Sequence, residues 1–170
     1  MVFVPENQMP LIDTAVFAGG CFWGVEYFLQ KAPGVQSVVS GYTGGKAANP
    51  TYQEVCSGNT GHYEAVEVTF DPSRTNFEEL AKLFFEIHDP TQWNHQGPDW
   101  GEQYRSAVFY RTEDQKRTTE KLIGILKEKG FRIVTEIKPA STFYKAENYH
   151  QDYYENKGTA PYCHGYTKRF

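Results

Sequence analysis

The residue of this chain best placed to do chemistry is a cysteine at a strand-to-helix corner. Gly19-Gly20-Cys21-Phe22-Trp23-Gly24 follows an apolar run, Ala15-Val16-Phe17-Ala18, that reads as a strand. It precedes Val25 to Lys31, which reads as a helix. Unpaired N–H groups and the dipole at a helix N-terminus favour an anion, so a thiol there is expected to have a lowered pKa and raised reactivity. The glycines let the backbone turn tightly and leave the sulfur accessible. Phe22 and Trp23 would form a greasy wall around a small apolar group. The plainer reading is a buried cysteine in a glycine-rich turn, the usual lot of a cysteine.

A nucleophilic cysteine needs a partner that moves protons. Glu64 stands where Thr60-Gly61-His62-Tyr63 enters a strand. A carboxyl at a strand mouth among aromatics is expected to be desolvated and to stay protonated near neutrality. An ordinary edge carboxylate fits that position equally well. Tyr104 and Asp99 lie in a polar passage, Gly97 to Ser106, and Tyr52 lies on a loop after Asn49-Pro50-Thr51. Taken singly, each reads as structural; Arg105 reads as one half of an ion pair. Cys163 sits in an irregular tail between Tyr162 and His164. A mobile thiol suits the role of a resolving thiol, one that attacks an oxidised partner cysteine. Cys56 reads as a buried thiol beneath its loop.

These residues must be positioned by a fold. Val35 to Tyr42 is β-branched-rich and reads as a second strand, followed by a long Gly/Asn/Pro-rich loop, Thr43 to His62. Loops of that length in a compact domain are usually functional. Glu64 to Phe70 alternates as a half-buried strand does. Asn76 with Glu79 predicts a helix start, and Leu80, Leu83, Phe84 and Ile87 give it one apolar face. A second long loop, from Asp89 to about Gln103, carries Trp93, His95, Asp99 and Trp100. Ser106 to Tyr110 predicts a strand, Thr112 with Gln115 opens a helix that stops at Gly130, and Phe131 to Ile137 predicts a last strand. Glu147 to Tyr154 predicts a short helix, and the tail from residue 156 to 170 has no periodicity. The order strand, helix, strand, strand, helix, strand predicts an α+β two-layer sandwich with a ferredoxin-like split βαβ core, long loops and an irregular C-terminal tail. A single domain over 1–170 is expected, with residues 1–13 an arm.

The composition excludes some functions. The chain has 170 residues with 39% apolar and 16% aromatic content, too many aromatics for the core alone. Some of the 12 tyrosines should therefore line a surface groove. A formal net charge of −4 without a basic block argues against nucleic acid. No apolar run approaches the ~18 residues of a membrane span, so no membrane association is expected. Met1 to Asp13 lacks the features of a signal peptide, so a cytoplasmic location is expected. Three cysteines without a CxxC, and five histidines without HExxH spacing, predict neither a disulfide framework nor a metal site.

From about Ala15 to Gly165 the chain resembles the A-type peptide methionine sulfoxide reductases. The match is carried by Gly19 to Gly24, Gly41-Tyr42, Asn49-Pro50-Thr51-Tyr52, Val55-Cys56-Ser57-Gly58, Thr60-Gly61-His62 with Glu64, and His88-Asp89-Pro90-Thr91. Gln96-Gly97-Pro98-Asp99, Gln103-Tyr104-Arg105-Ser106 and Tyr149-His150-Gln151-Asp152-Tyr153 extend it. The resemblance implies reduction of methionine S-sulfoxide in oxidised proteins or peptides, and of free methionine sulfoxide as a further candidate, by a monomer with no cofactor and with thioredoxin as external reductant. It implies that Cys21 attacks the sulfoxide sulfur, that Glu64 is the acid at its oxygen, that Tyr52 and Tyr104 hold that oxygen, and that Asp99 orders the site. Phe22 and Trp23 would receive the methyl group. Cys163 would form a disulfide with the sulfenic acid on Cys21.

The chain departs from the family where Gly-Tyr-Cys becomes Pro161-Tyr162-Cys163, and in having no cysteine after Cys163, which favours a two-cysteine cycle. Tyr63 and Trp100 replace smaller residues and are expected to reshape the pocket rim. Two other readings compete. A cysteine hydrolase would need His62 or His95 beside Cys21. An aromatic-lined peptide-binding module would explain the tyrosines but not the second thiol.

Overall fold

The computed structural model describes residues 12–170, so the arm expected over 1–13 lies, through residue 11, outside the described residues. In chain order the elements are β1 (Asp13–Ala18), α1 (Phe22–Leu29), β2 (Val35–Thr43), α2 (Tyr52–Cys56), β3 (Tyr63–Phe70) and α3 (Phe77–Ile87). They continue with a small hairpin of β4 (His95–Gln96) and β5 (Asp99–Trp100), then β6 (Ala107–Tyr110), α4 (Glu113–Glu128), β7 (Glu136–Pro139), β8 (Tyr144–Lys145) and α5 (Tyr153–Lys157). Single 3-10 turns cover Glu102–Tyr104 and Asn148–His150.

The main sheet runs β7-β6-β1-β3-β2-β8. Its four middle strands pair antiparallel in the order expected of a split βαβ core. The helix α4 then crosses from β6 to a parallel β7, the connection that parallel neighbours require. One face of the sheet, with Phe17, Val66, Val68, Phe70 and Val108, meets Val25 and Leu29 of α1, Leu80 and Phe84 of α3, and Leu122 and Leu126 of α4. The other face has a smaller cluster of Val16, Ala18, Tyr63, Ala65, Ala107 and Phe109, partly covered by Phe143. Among the described residues no helix is long and apolar enough to cross a membrane.

Helix starts follow their sequence signals. The Asn76 side chain accepts from the Glu79 N–H at 2.8 Å, and Thr112 accepts from the Gln115 N–H at 3.1 Å. The long loop after β2 hides one further helix, α2. It is closed by a capping box in which Glu54 N–H donates to Thr51 at 3.2 Å and Thr51 N–H donates to Glu54 at 3.0 Å.

Several expectations are corrected. The strand predicted from Phe131 is confined to Glu136–Pro139. Phe131 and Ile133 instead pack on the core, and Val134 N–H donates to Pro90 O at 2.8 Å. The helix predicted over Glu147 to Tyr154 is broken at Asp152, which is left-handed at φ 53°. Its N–H turns inward to Glu26 Oε1 at 2.6 Å, a pull from α1 that local periodicity does not reveal. Cys56 is exposed rather than buried, because a five-residue helix can turn only one side inward and Val55 occupies it. Tyr63 is not at a pocket rim. It is fully buried on the sheet's far face, where its hydroxyl donates to Glu136 at 2.8 Å beneath the Arg105 guanidinium. Arg105 does form an ion pair, with Glu136 at 3.7 Å.

The tail is irregular but anchored. A helix leaves its last four carbonyls without intrahelical donors. At the end of α3 all four find partners. His88 Nδ1 meets Phe84 O, Arg169 Nε meets Phe85 O, Thr167 N–H meets Glu86 O and Gly165 N–H meets Ile87 O, at 2.6, 2.9, 2.8 and 3.3 Å. Three of the four donors come from the tail, which fixes residues 165–169 across the end of α3.

Candidate active site

Cys21 is the N-cap of α1 and is 6% exposed. The turn that places it requires Gly20, whose φ is +87° and where a Cβ would overlap the Gln96 side chain. The expected fall in thiol pKa does not occur: burial pushes the thiol well above its ordinary value, and the nearby Glu64 adds to this. The Trp23 N–H at the helix start does favour the thiolate, as a helix N-terminus should, but it is outweighed. Cys163 and Asp99 push in the same direction as Glu64, which puts both within electrostatic reach of the sulfur.

Glu64 lies on β3 opposite Tyr42 of β2 and is 1% exposed. Its Oε1 accepts the Phe22 N–H at 3.3 Å, and its Oε2 has no partner among the described residues. Burial raises its pKa to about 8, partly offset by the Phe22 N–H and reinforced by Asp99. The carboxyl is therefore mostly protonated near neutrality. Since Oε1 is occupied by a donor, the proton belongs on Oε2. The result is a buried acid whose O–H meets no acceptor among the described residues. Leaving such a group unpaired costs about 1–3 kcal/mol, a cost relieved when a ligand brings an acceptor.

Two phenols share this space. Tyr52 opens α2, its N–H donates to Glu147 Oε2 at 3.1 Å, and its ring lies 4.4 Å from His150. Tyr104 ends the 3-10 turn before β6. Burial and then the charge of Glu64 raise both phenols far above their ordinary value, so both stay protonated donors. Cys21 acts on both as well, so thiol, acid and phenols lie within electrostatic reach of one another.

The apolar wall has an asymmetry that the sequence hides. Phe22 is fully buried and forms a floor against Tyr42, Tyr52 and His150. Trp23 is half-buried and held from two sides. Its indole N–H donates to His150 Nδ1 at 2.9 Å, and its ring stacks on Tyr153 at 3.7 Å and 6°. Behind these stands Glu26, buried on α1, which accepts from Ser40 at 3.1 Å and from the Asp152 N–H. Burial raises Glu26 to about 7. His150, Tyr153, Glu147 and Glu26 were not identified by position alone. The available signal was the density of polar and aromatic residues from Glu147 to Tyr154.

Asp99, on β5, faces the tail. The Tyr162 hydroxyl donates to both of its oxygens, at 2.9 and 3.1 Å, and Cys163 Sγ lies 3.3 Å from Oδ2. Burial and then Asp99 push the Cys163 thiol up to about 12. Cys21 and Cys163 are both free thiols, and Cys163 helps to raise the pKa of Cys21. Trp100, proposed for the rim, is 69% exposed and stacks on His95. His95 is thereby engaged outside the site. His62 is held by Gly45 N–H at 3.1 Å and Ala47 O at 2.6 Å, so neither histidine faces Cys21 as a hydrolase base would.

The arrangement joins a buried thiol, a neutral acid, two phenolic donors and an aromatic wall. It suits a substrate with a basic oxygen on an apolar, electrophilic atom. Comparison with known proteins agrees. The family model described as peptide methionine sulfoxide reductase matches residues 13–169. A peptide methionine sulfoxide reductase MsrA 1 of Rhodopirellula baltica is 52% identical over 162 residues, covering 94% of this chain and 84% of that protein. Mxr1 of Saccharomyces cerevisiae in reduced form superposes with a TM-score of 0.84 at 33% identity, covering 94% and 93% of the two chains. The same yeast protein in complex with Trx2 shares the fold, with a TM-score of 0.62 at 24% identity over 98% and 94%.

Proposed function

The chain belongs to the peptide methionine sulfoxide reductase family, and from that premise we propose that Cys21 attacks the sulfur of methionine S-sulfoxide while Glu64 protonates its oxygen. The observation that carries this reading is the Oε2 of Glu64, which has no partner among the described residues, on a carboxyl held beside the turn of Cys21. As the sulfur–sulfur bond begins to form, negative charge grows on the sulfoxide oxygen. A neutral carboxyl and two phenols aimed there stabilise the transition state more than the ground state. The oxygen ends on Cys21 as a sulfenic acid, methionine leaves reduced by two electrons, and the proton Cys21 loses restores the acid.

Trp23, fixed between His150 and Tyr153, receives the methyl group, with Phe22 beneath. This wall makes the site chiral, since the other epimer would turn its oxygen against aromatic carbon. Asp99 orders the site and holds the tail. Cys163 then attacks the sulfenic sulfur of Cys21; their disulfide forms and water leaves. A thioredoxin-type dithiol protein reduces it, a reading to which the Mxr1–Trx2 complex lends support. In this reading the protein is a cytoplasmic monomer acting on oxidised proteins and peptides, and needs no cofactor.

The test is stereochemical. Given both sulfoxide epimers of a blocked methionine and a dithiol reductant, the protein should consume the S epimer and leave the R epimer. Consumption of R, or of neither, would contradict the assignment.

A further inference from the structure

We infer that His164 is the general base that takes the proton from Cys163 as this thiol attacks the Cys21 sulfenic acid. The inference rests on the reading of Cys163 as the resolving thiol. The imidazole lies between two partners. Its Nε2 is 2.7 Å from the Gly19 carbonyl oxygen, and its Nδ1 is 3.4 Å from Cys163 Sγ. A carbonyl oxygen only accepts, so the ring proton sits on Nε2. The bare lone pair of Nδ1 then faces the thiol.

The position is built rather than incidental. His164 is buried, and its ring rests directly on the first turn of α1, where a Cβ at Gly24 would overlap Nδ1. A glycine of the Cys21 turn thus makes room for the tail's imidazole. The second contact, at Gly19, ties the ring to the strand end that delivers Cys21. One side chain therefore links the strand end before the first thiol to the sulfur of the second.

A base is required there. Cys163 carries its proton throughout the neutral range, and a thiol is a poor nucleophile until it loses it. Asp99 is the other acceptor within reach, its Oδ2 3.3 Å from Cys163 Sγ, but the Tyr162 hydroxyl already donates to both of its oxygens. As a side-chain type, imidazole is the usual proton acceptor at neutral pH. Burial keeps His164 neutral and so able to accept, while the Gly19 carbonyl and Asp99 favour the imidazolium once it forms. The groups facing the ring are Cys163 on the tail, Asp99 on β5 and His88 after α3; burial lowers His88 to about 3, so it brings no charge.

The step balances. The Cys163 S–H proton passes to His164, a sulfur–sulfur bond forms to Cys21, the sulfenic S–O bond breaks, and the departing oxygen takes up a proton as water. No outside oxidant is needed, because Cys21 was oxidised by the sulfoxide.

His164→Gln separates the two contacts, since the Gln amide can still donate to the Gly19 carbonyl but offers no base to Cys163. The protein is mixed with one equivalent of methionine S-sulfoxide, quenched with an alkylating agent, and disulfide formation is timed by mass. Relative to the methionine released, disulfide formation in His164→Gln should slow by on the order of 100-fold. Between pH 6 and 7.5 its rate should rise tenfold per pH unit, as solvent hydroxide replaces the base, while the rate of the unaltered protein rises less steeply. A His164→Gln rate equal to that of the unaltered protein, or one slowed but independent of pH, would overturn the role of His164. A disulfide that forms without Cys163 in Cys163→Ser would instead overturn the underlying reading.

Discussion

Phe22 donates its backbone N–H to one oxygen of Glu64, at 3.3 Å, and the other oxygen of that buried carboxyl has no partner among the described residues. The residue after Cys21 thereby decides which oxygen of Glu64 carries the proton. Helix start and strand mouth are joined by this single bond, which holds the carboxyl beside the turn of Cys21.

Glu64→Gln keeps the acceptor for Phe22 but cannot deliver a proton. It should slow methionine release in a single turnover by on the order of 100- to 1000-fold, with the far-ultraviolet circular dichroism unchanged. In the unaltered protein the same step should weaken as pH rises through about 8, where the acid ionises. Rapid-quench timing of methionine release across that range checks both.

The same carboxyl makes stability depend on pH. Its folded pKa lies above the ordinary value of 4.5, so the stability linked to it is full below pH 4.5 and is lost as pH rises to about 8. Glu64→Gln lacks that loss. Urea unfolding at pH 5 and pH 8.5 should show the variant gaining on the unaltered protein by several kcal/mol over the interval, at 1.36 kcal/mol per pK unit. A gap that does not change with pH would mean that Glu64 is not buried as an acid.

Glu26 positions the wall from behind, by holding the left-handed Asp152 just before Tyr153. Glu26→Ala would strand two donors, the Asp152 N–H and the Ser40 hydroxyl, at a cost of about 1–3 kcal/mol. Tyr153 would lose its fixed stack on Trp23, so the sulfoxide KM should rise several-fold. Chemical denaturation and steady-state kinetics with a dithiol reductant measure the two effects.

Gly24→Ala would drive a methyl group into the His164 ring. It should slow disulfide formation far more than methionine release, because the displaced ring belongs to the tail. Equal slowing of both steps would mean that the tail is not the element displaced.

Much of the scaffold was legible because its signals are local. Asn76 and Thr112 cap their helices through neighbours three residues away, and the alternation of Val66, Val68 and Phe70 needs only the strand itself. The order of elements was enough for the four-stranded core. What escaped depends on partners distant in sequence. Cys21 sits at a helix N-terminus as expected, yet its thiol is governed by burial and by Glu64, 43 positions away. The helix over Glu147 to Tyr154 breaks because Glu26 captures Asp152. The tail has no periodicity, but its backbone and Arg169 complete the carbonyl end of α3, an anchoring that no residue pattern announces. His164 stood in plain view beside Cys163, and only the Gly19 carbonyl shows which of its nitrogens is free.

The most direct test of the central account uses Cys163→Ser with methionine S-sulfoxide and no reductant. The account predicts one equivalent of methionine per protein, then arrest, with one added oxygen located on the Cys21 peptide by mass spectrometry. No methionine, methionine with Cys21 unmodified, or continued release beyond one equivalent would contradict it.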